Sequence, residues 1–108
     1  MLDIGCKFGD LLVAADRRGW NASGVELNSE FCKDAKSRGF EVYNDVIERL
    51  DSSISGFDVI VMSHVLEHIE RPDDTLKTIK GQVRRGLFSI INRLGHGDMV
   101  GILAQKPY

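Results

Sequence analysis

The feature that most constrains this chain is its opening, where a short apolar segment runs directly into a turn that contains Gly5 and Gly9. Residues 1–4 predict a buried strand, and the residues from about Asp10 predict a helix. Glycine in such a turn lets the backbone approach a ligand closely and adopt a positive φ. The helix that follows would direct unpaired N–H groups and the positive end of its dipole toward the turn. The opening therefore predicts a strand–turn–helix unit that suits a ligand with a carboxylate or a phosphate.

An acidic residue follows at the spacing that a βαβ unit uses to recognise a ribose. Glu26 closes the apolar run 23–25, and a carboxylate at that strand end can accept hydrogen bonds from ribose hydroxyls. Taken alone, Gly5 and Gly9 could be ordinary turn glycines, and Asp3 could satisfy backbone N–H groups in the turn. The combination of the glycine turn with Glu26 favours a cofactor site.

Strand-like and helix-like segments alternate along the rest of the chain. The predicted elements are a helix from Asp10 to Arg18 that stops at Gly19, a strand at 22–27, a helix capped by Asn28 or Ser29 that stops at Gly39, a strand at 40–43, a polar loop at 46–56, a strand at 59–62 and a helix from Pro72 to about Arg85. This alternation predicts an α/β fold, a Rossmann-like parallel sheet with flanking helices. A ligand would then lie at the carboxyl ends of the strands.

The opening resembles the first motif of class I S-adenosylmethionine-dependent methyltransferases of the small-molecule type, an acidic residue followed by alternating glycines on a strand–turn–helix. Asp3, Gly5 and Gly9 match this motif, whereas Lys7 stands where the family usually has glycine. A lysine there would either crowd the cofactor or turn outward to solvent. The resemblance implies that the cofactor is S-adenosyl-L-methionine and that Asp3, Gly5, Cys6 and Gly9 belong to its site, with Cys6 filling the turn.

The resemblance extends to the ends of the second and third strands. It implies that Glu26 holds the ribose hydroxyls, that Leu27 and Asn28 flank the adenine, and that Asp45 reaches the adenine amino group beside Val46. Other roles are open, since Glu26 could be a solvated residue at a strand end and Asp45 could form a turn with the preceding asparagine.

The segment 57–69 resembles the family's fourth motif and supplies the candidates for catalysis. Ser63 is also expected in the cofactor site. Family members often need no nucleophile of their own and act largely by positioning the reactants. A general base, if one is used, would come from Ser63, His64 or His68, which lie nearest by position.

The pattern from His64 to His68 has two metal-binding interpretations and a local one. Its H-x-x-E-H spacing is that of inverted zinc peptidases, with Glu67 as the base, although a third ligand and much of such an enzyme are missing. Some quinone-pathway and RNA methyltransferases bind a divalent metal through E-x-x-E-H at this place, where this chain has His64 instead of the first glutamate. In the local interpretation Glu67 pairs nearby and His68 packs beside the sheet. We therefore assign no metal ligands.

The C-terminal part departs from the family's pattern. Residues 84–94 could form a replacement strand or a helix, and residues 97–107 resemble the last strand of such enzymes but arrive early. We therefore expect one partial methyltransferase domain over residues 1–108, incomplete relative to the full fold, with a cofactor-binding part at 1–80 and an atypical part at 81–108. A truncated chain could also be a non-catalytic remnant or an interaction module.

Composition limits the partners without identifying the acceptor. The chain has 108 residues, enough for one modest domain, and its 14 basic and 16 acidic side chains give a net charge of −2. This balance does not indicate nucleic acid, and no apolar run is long enough to cross a bilayer. Two cysteines without a metal or disulfide pattern favour the cytoplasm. We expect a small-molecule acceptor and leave the oligomeric state open; nicotinamide binding is disfavoured because G-x-G-x-x-G is incomplete.

Overall fold

The computed structural model describes residues 1–63, 69–82, 89–93 and 99–102. Strands and helices alternate through this part of the chain. The strands are β1 Leu2–Ile4, β2 Ser23–Val25, β3 Glu41–Tyr43, β4 Val59–Ser63, β5 Ser89–Arg93 and β6 Met99–Ile102. The helices are α1 Asp10–Arg17, α2 Ser29–Ser37 and α3 Pro72–Gln82, with a 3₁₀ turn at Ile47–Arg49.

The described strands form one sheet in the order β3-β2-β1-β4-β5-β6. The strands from β3 to β5 run parallel to their neighbours, and β6 pairs antiparallel with β5. The chain moves outward from β1 in one direction to β3 and then returns to the other side of β1 at β4. Since ligands of open α/β sheets bind where the strand order reverses, the carboxyl ends beside β1 are the expected site. The predicted Rossmann-like α/β fold is confirmed.

Local sequence accounts for the ends of α1 and α2. Gly9, with φ 91°, stands at the start of α1, and Arg18 and Gly19 close the helix by donating to the carbonyls of Ala15 and Asp16. Asn28 caps α2, since its Oδ1 accepts hydrogen bonds from two backbone N–H groups of the first turn. The predicted helix boundaries near Gly19 and at Asn28 are confirmed.

Within the described part of the chain, the core consists of two clusters that are supplied by different helices. Residues of α1 and α2 pack with strand residues in one cluster, made of Cys6, Leu12, Ala15, Ala22, Cys32, Ala35 and Val42. The other cluster includes Ile79 of α3 and is made of Leu2, Ile4, Val25, Ile47, Ile60, Met62 and Ile79. Helices whose crossovers have the usual right-handed sense cover opposite faces when the strand order reverses, which explains the division.

Two segments, 46–56 and 84–94, test the sequence predictions: the first differs from its predicted structure, and the second had two predicted alternatives. The expected polar loop at 46–56 contains the 3₁₀ turn, whose Ile47 is only 4% exposed and belongs to the core. Within 84–94, residues 89–93 form β5, so the strand alternative applies there. None of the helices in the described ranges is long and apolar enough to span a membrane.

Candidate functional site

The turn after β1 is held in an unusual backbone conformation that brings it against the end of β2. Gly5, Lys7 and Gly9 have positive φ values of 78°, 51° and 91°. The N–H groups of Gly5 and Cys6 both donate to the carbonyl of Val25, at 2.7 and 3.1 Å. Lys7 is exposed, so its side chain takes the outward of the two expected courses. The turn therefore reaches across β1 and β2 while its one long cationic side chain faces solvent.

Glu26 directly follows β2 and is held by backbone donors on both of its carboxylate oxygens. Oε1 accepts the N–H of Lys7 and Oε2 accepts the N–H of Asn28, each at 2.8 Å. The residue is only 8% exposed, so these bonds fix its direction. Because each carboxylate oxygen has a second lone pair, Glu26 can accept two further hydrogen bonds from a ligand. Two neighbouring hydroxyls of a ribose have the matching donors.

Asp3 lies in the central strand, beneath the turn, and is 3% exposed. Its Oδ1 has no hydrogen-bond partner among the described residues. Burial, and secondarily the charge of Glu26, raises the pKa of Asp3 from its ordinary value of 3.8 to about 7. Oδ1 therefore does not satisfy a backbone N–H group of the turn, and a buried acceptor is left for a donor or a cation.

A cavity of about 290 Å³ opens at this edge of the sheet. Five residues of the predicted cofactor set line it, namely Gly5, Glu26, Leu27, Asp45 and Val46. Sequence reasoning missed the other lining residues, which are Ile4, Val25, Ile47, Glu48 and Ile69. Ile4 and Val25 could have been predicted, because they are the last residues of β1 and β2. Glu48 and Ile69 have no local sequence signal that would place them in the cavity. The volume is at the lower end of the range for small-molecule sites.

Leu27 and Asp45 present different surfaces to this cavity. Leu27 is 67% exposed, so its side chain presents an apolar surface to solvent. Asp45 uses Oδ1 locally, accepting the N–H of Val46 at 2.7 Å and lying 3.8 Å from the guanidinium of Arg49. Oδ1 of Asp45 is thus also used locally, and both the adenine contact and the turn-forming role stay predictions.

Cys6, Gly9 and Asn28, like Asp3 and Ser63, belong to the predicted cofactor set but are not among the described residues that line this cavity. Cys6 is buried against Gly24, and burial raises the pKa of its thiol to about 12, so the thiol stays neutral. Gly9 starts α1 close to Ala35, and the Asn28 side chain is used in capping α2. Contacts of these three residues with a cofactor stay a prediction.

The candidates for catalysis fall largely outside the described residues. The backbone of Ser63 ends β4, next to β1 at the same edge of the sheet. His64, Glu67 and His68 lie outside the described residues. Within the described residues, no group of three histidine, cysteine or acidic side chains is placed to hold a metal ion.

A larger cavity, of about 520 Å³, lies at the opposite edge of the sheet. It is lined by residues such as Trp20, Phe57 and Asp58, and it includes none of the predicted site residues. Ligands of parallel α/β sheets bind at the carboxyl ends of the strands, whereas this cavity is at the amino ends. The smaller cavity, with its fixed carboxylate, is therefore the candidate site.

The sequence model of the methyltransferase domain matches residues 2–86. This chain belongs to the methyltransferase domain family. Among curated relatives, the ubiquinone biosynthesis O-methyltransferase of Idiomarina loihiensis is 31% identical over 98% of this chain and 48% of the relative. The enzyme of the same name from Escherichia coli O139:H28 is 26% identical with the same coverage. The methyltransferase chain described here spans about half the length of the curated relatives it matches.

Solved structures agree with this assignment. An S-adenosylmethionine-dependent methyltransferase from Archaeoglobus fulgidus is 29% identical, with a TM-score of 0.72, and the match covers 84% of this chain and 42% of that one. Magnesium protoporphyrin IX methyltransferase from Synechocystis, solved with bound S-adenosylmethionine, has a TM-score of 0.70 at 16% identity, covering 84% and 46%. The second likeness shows a shared fold. The predicted membership of the methyltransferase family is confirmed.

Proposed function

We propose that this chain binds S-adenosylmethionine and transfers its methyl group to a small-molecule acceptor. The observation that carries the proposal is the Glu26 carboxylate, which is fixed by two backbone donors and keeps one lone pair on each oxygen for a ligand. Membership of the methyltransferase domain family and the relatives' names support it.

The residues of the site fit this cofactor chemically. Glu26 would accept the two ribose hydroxyls, and Leu27, Asp45 and Val46 would bound the adenine. The unpartnered buried oxygen of Asp3 suits a cationic donor, which an amino-acid ammonium supplies. A ligand that brings both a ribose and a positive charge would match the Glu26 carboxylate in the cavity and the buried Asp3 oxygen of β1, which is not among the cavity's lining residues.

The bound cofactor supplies a methyl group that its sulfonium makes electrophilic. The chain's own contribution is to hold the nucleoside in one orientation and to keep water from the reacting centre. An acceptor hydroxyl must lose its proton when it takes the methyl group; His64 and His68 are the proposed acceptors of that proton, and Ser63, whose hydroxyl is not a base, would relay it. Cys6 is unsuited, because its thiol is buried and neutral.

Isothermal titration calorimetry tests the cofactor. We expect saturable heat with S-adenosylmethionine and S-adenosylhomocysteine and none with NAD. Glu26→Gln should weaken binding by about 10-fold or more, because a charge-assisted hydrogen bond contributes roughly 1.5–3 kcal/mol. Glu70→Gln is the matched control, since Glu70 is exposed and is not among the cavity's lining residues. No heat from a chain that circular dichroism shows to be folded would contradict the proposal, and heat with NAD alone would favour the nicotinamide alternative.

Competition between nucleosides tests the ribose contact directly. Adenosine should displace the cofactor about 10-fold better than 2′-deoxyadenosine, because the deoxy compound leaves one Glu26 oxygen without its donor. Equal displacement would argue against Glu26 as the ribose partner.

Once binding is established, formation of S-adenosylhomocysteine with hydroxyl-bearing acceptors is the first assay of transfer, since curated relatives are named O-methyltransferases. Binding without transfer would favour the non-catalytic alternative.

We also propose the domain division and the location expected from the sequence. Residues 1–80 would form the cofactor-binding part and residues 81–108 an atypical part of one domain; the described strands β5 and β6 support this by extending the same sheet. Limited proteolysis that released a stable 1–80 fragment would contradict a single unit.

The state of the two cysteines bears on the location of the protein. Cys6 and Cys32 are free and buried, which supports the cytoplasm. When the protein is isolated from its host and unfolded, an alkylating reagent should modify both cysteines. A disulfide between them would contradict a cytoplasmic location.

A further inference from the structure

The Asn44 side chain joins the end of β3 to the turn that follows β2. Asn44 comes directly after β3, and its Nδ2 donates to the carbonyl of Glu26 at 2.9 Å and to the carbonyl of Leu27 at 3.0 Å. A carboxamide nitrogen has two protons, so this contact uses both, one for each carbonyl. The same backbone also donates a ladder hydrogen bond, from the N–H of Glu26 to the carbonyl of Tyr43 at 2.9 Å.

This bridge acts on the backbone that presents the ligand-facing groups. The Glu26 carboxylate and the exposed Leu27 side chain both line the candidate cavity. Asp45, the next residue after Asn44, lines the same cavity. Asn44 therefore connects Glu26 with Asp45, by hydrogen bonds on one side and by the peptide bond on the other. In the proposed orientation these two carboxylates lie at the ribose end and the base end of one nucleoside.

We propose that Asn44 is a positioning residue for the nucleoside part of the cofactor. Its carboxamide fixes the Glu26–Leu27 backbone relative to β3, so that the ribose-binding and adenine-binding sides of the cavity keep a constant separation. The inference rests on the proposed cofactor function. Asn44 touches no reacting atom, and its effect on binding is exerted through Glu26 and Leu27.

The competing explanation is that Asn44 is only a residue that favours the turn before Asp45. Three single variants separate the two roles. Asn44→Ala removes both donors, and Asn44→Asp keeps the shape but places an oxygen against two carbonyl oxygens. Asn21→Ala is the matched control, because Asn21 is an exposed asparagine at the opposite edge of the sheet.

The first measurement is the affinity for S-adenosylhomocysteine by calorimetry, with thermal unfolding recorded for every variant. Asn44→Ala should bind about 10-fold more weakly and Asn44→Asp more weakly still, because the Glu26–Leu27 backbone is then no longer held in its binding geometry and must be ordered when the ligand binds, at about the cost of one ordinary hydrogen bond. Asn21→Ala should stay within about 2-fold of the wild type, as surface changes usually do. Wild-type affinity in Asn44→Ala, with only a lower Tm, would establish the turn-forming role and overturn the inference.

Two further readouts show whether Asn44 acts through Glu26. In a double-mutant cycle, Asn44→Ala should weaken binding less than about 2-fold in a Glu26→Gln background, and full additivity would contradict the mechanism. Without ligand, amide hydrogen exchange of Lys7 and Asn28 should be faster in Asn44→Ala, because these N–H groups donate to the Glu26 carboxylate. Failure of the wild type to bind would refute the proposed function itself, whereas binding that is indifferent to Asn44 would refute this inference alone.

Discussion

Replacement of Asp3 by asparagine should remove a pH dependence of folding that the structure places in the central strand. The folded-state pKa of Asp3, about 7, lies above its ordinary value of 3.8 because the carboxyl is buried and Glu26 is nearby. The folded state therefore binds more protons than the unfolded state between these two values. Stability must then fall as pH rises through this window, and the loss is complete above the folded pKa.

The magnitude follows from the two pKa values. Each pH unit between them costs about 1.4 kcal/mol, so ionised Asp3 destabilises the unliganded fold by about 4 kcal/mol, as an order of magnitude. Between pH 5 and pH 8 the contribution should change by about 3 kcal/mol. Asparagine has nearly the same shape and does not titrate, so Asp3→Asn should be more stable than the wild type by about 4 kcal/mol at pH 8 and by about 1–2 kcal/mol at pH 5.

Urea unfolding of both proteins at pH 5 and pH 8 provides the assay, because contributions from the other titrating groups cancel in the difference between them. A difference in the free energy of unfolding that changes by less than about 0.5 kcal/mol between the two pH values would refute the argument. The raised pKa of Asp3 also predicts that ligand binding depends on pH. A cationic ligand beside Asp3 would lower its pKa, so binding at pH 7 should release protons, which calorimetry detects in buffers of different ionisation enthalpy.

Two further variants test packing and capping. Gly24→Ala should destabilise the chain by about 1–3 kcal/mol, because the new Cβ would lie 2.5 Å from Cys6 Sγ, whereas the helix control Gly81→Ala, with open space around it, should be neutral or stabilising; equal urea midpoints for the two would contradict this. Asn28→Ala should cost about 1 kcal/mol in urea unfolding through loss of the α2 cap, and a change below about 0.3 kcal/mol would show that the capping bonds contribute little.

The parts of the fold that could be predicted are those encoded by neighbours in the chain. Strand-length apolar runs, the stop at Gly19 and the cap at Asn28 are local signals, and each appears in the structure. Glu26 could also be found, because its distance from the glycine turn is a property of one βαβ unit. The backbone donors to Glu26 could not be predicted in the same way. The Lys7 N–H, for example, reaches the carboxylate only because the positive φ of the turn directs it toward β2.

The remaining features depend on which strand ends become neighbours. Asn44 looks like an ordinary turn residue until β3 is placed beside β2, and only then does its carboxamide meet the carbonyls of Glu26 and Leu27. Ile47 was missed because one apolar residue within a polar segment gives no periodicity. The unpartnered oxygen of Asp3 depends on the complete set of atoms around it.

The left-handed backbone of Lys7 has a consequence for the tolerance of this turn to mutation. Among the described residues it is the one non-glycine residue with a positive φ, a conformation that costs a residue with a Cβ roughly 1–2 kcal/mol. Its N–H bond to the Glu26 carboxylate offsets a cost of that size. Position 7 thus contributes to the site through its peptide group, while its side chain points to solvent. Substitution there should be limited by backbone preference, with glycine, asparagine and aspartate accepted and β-branched residues rejected, whatever their charge.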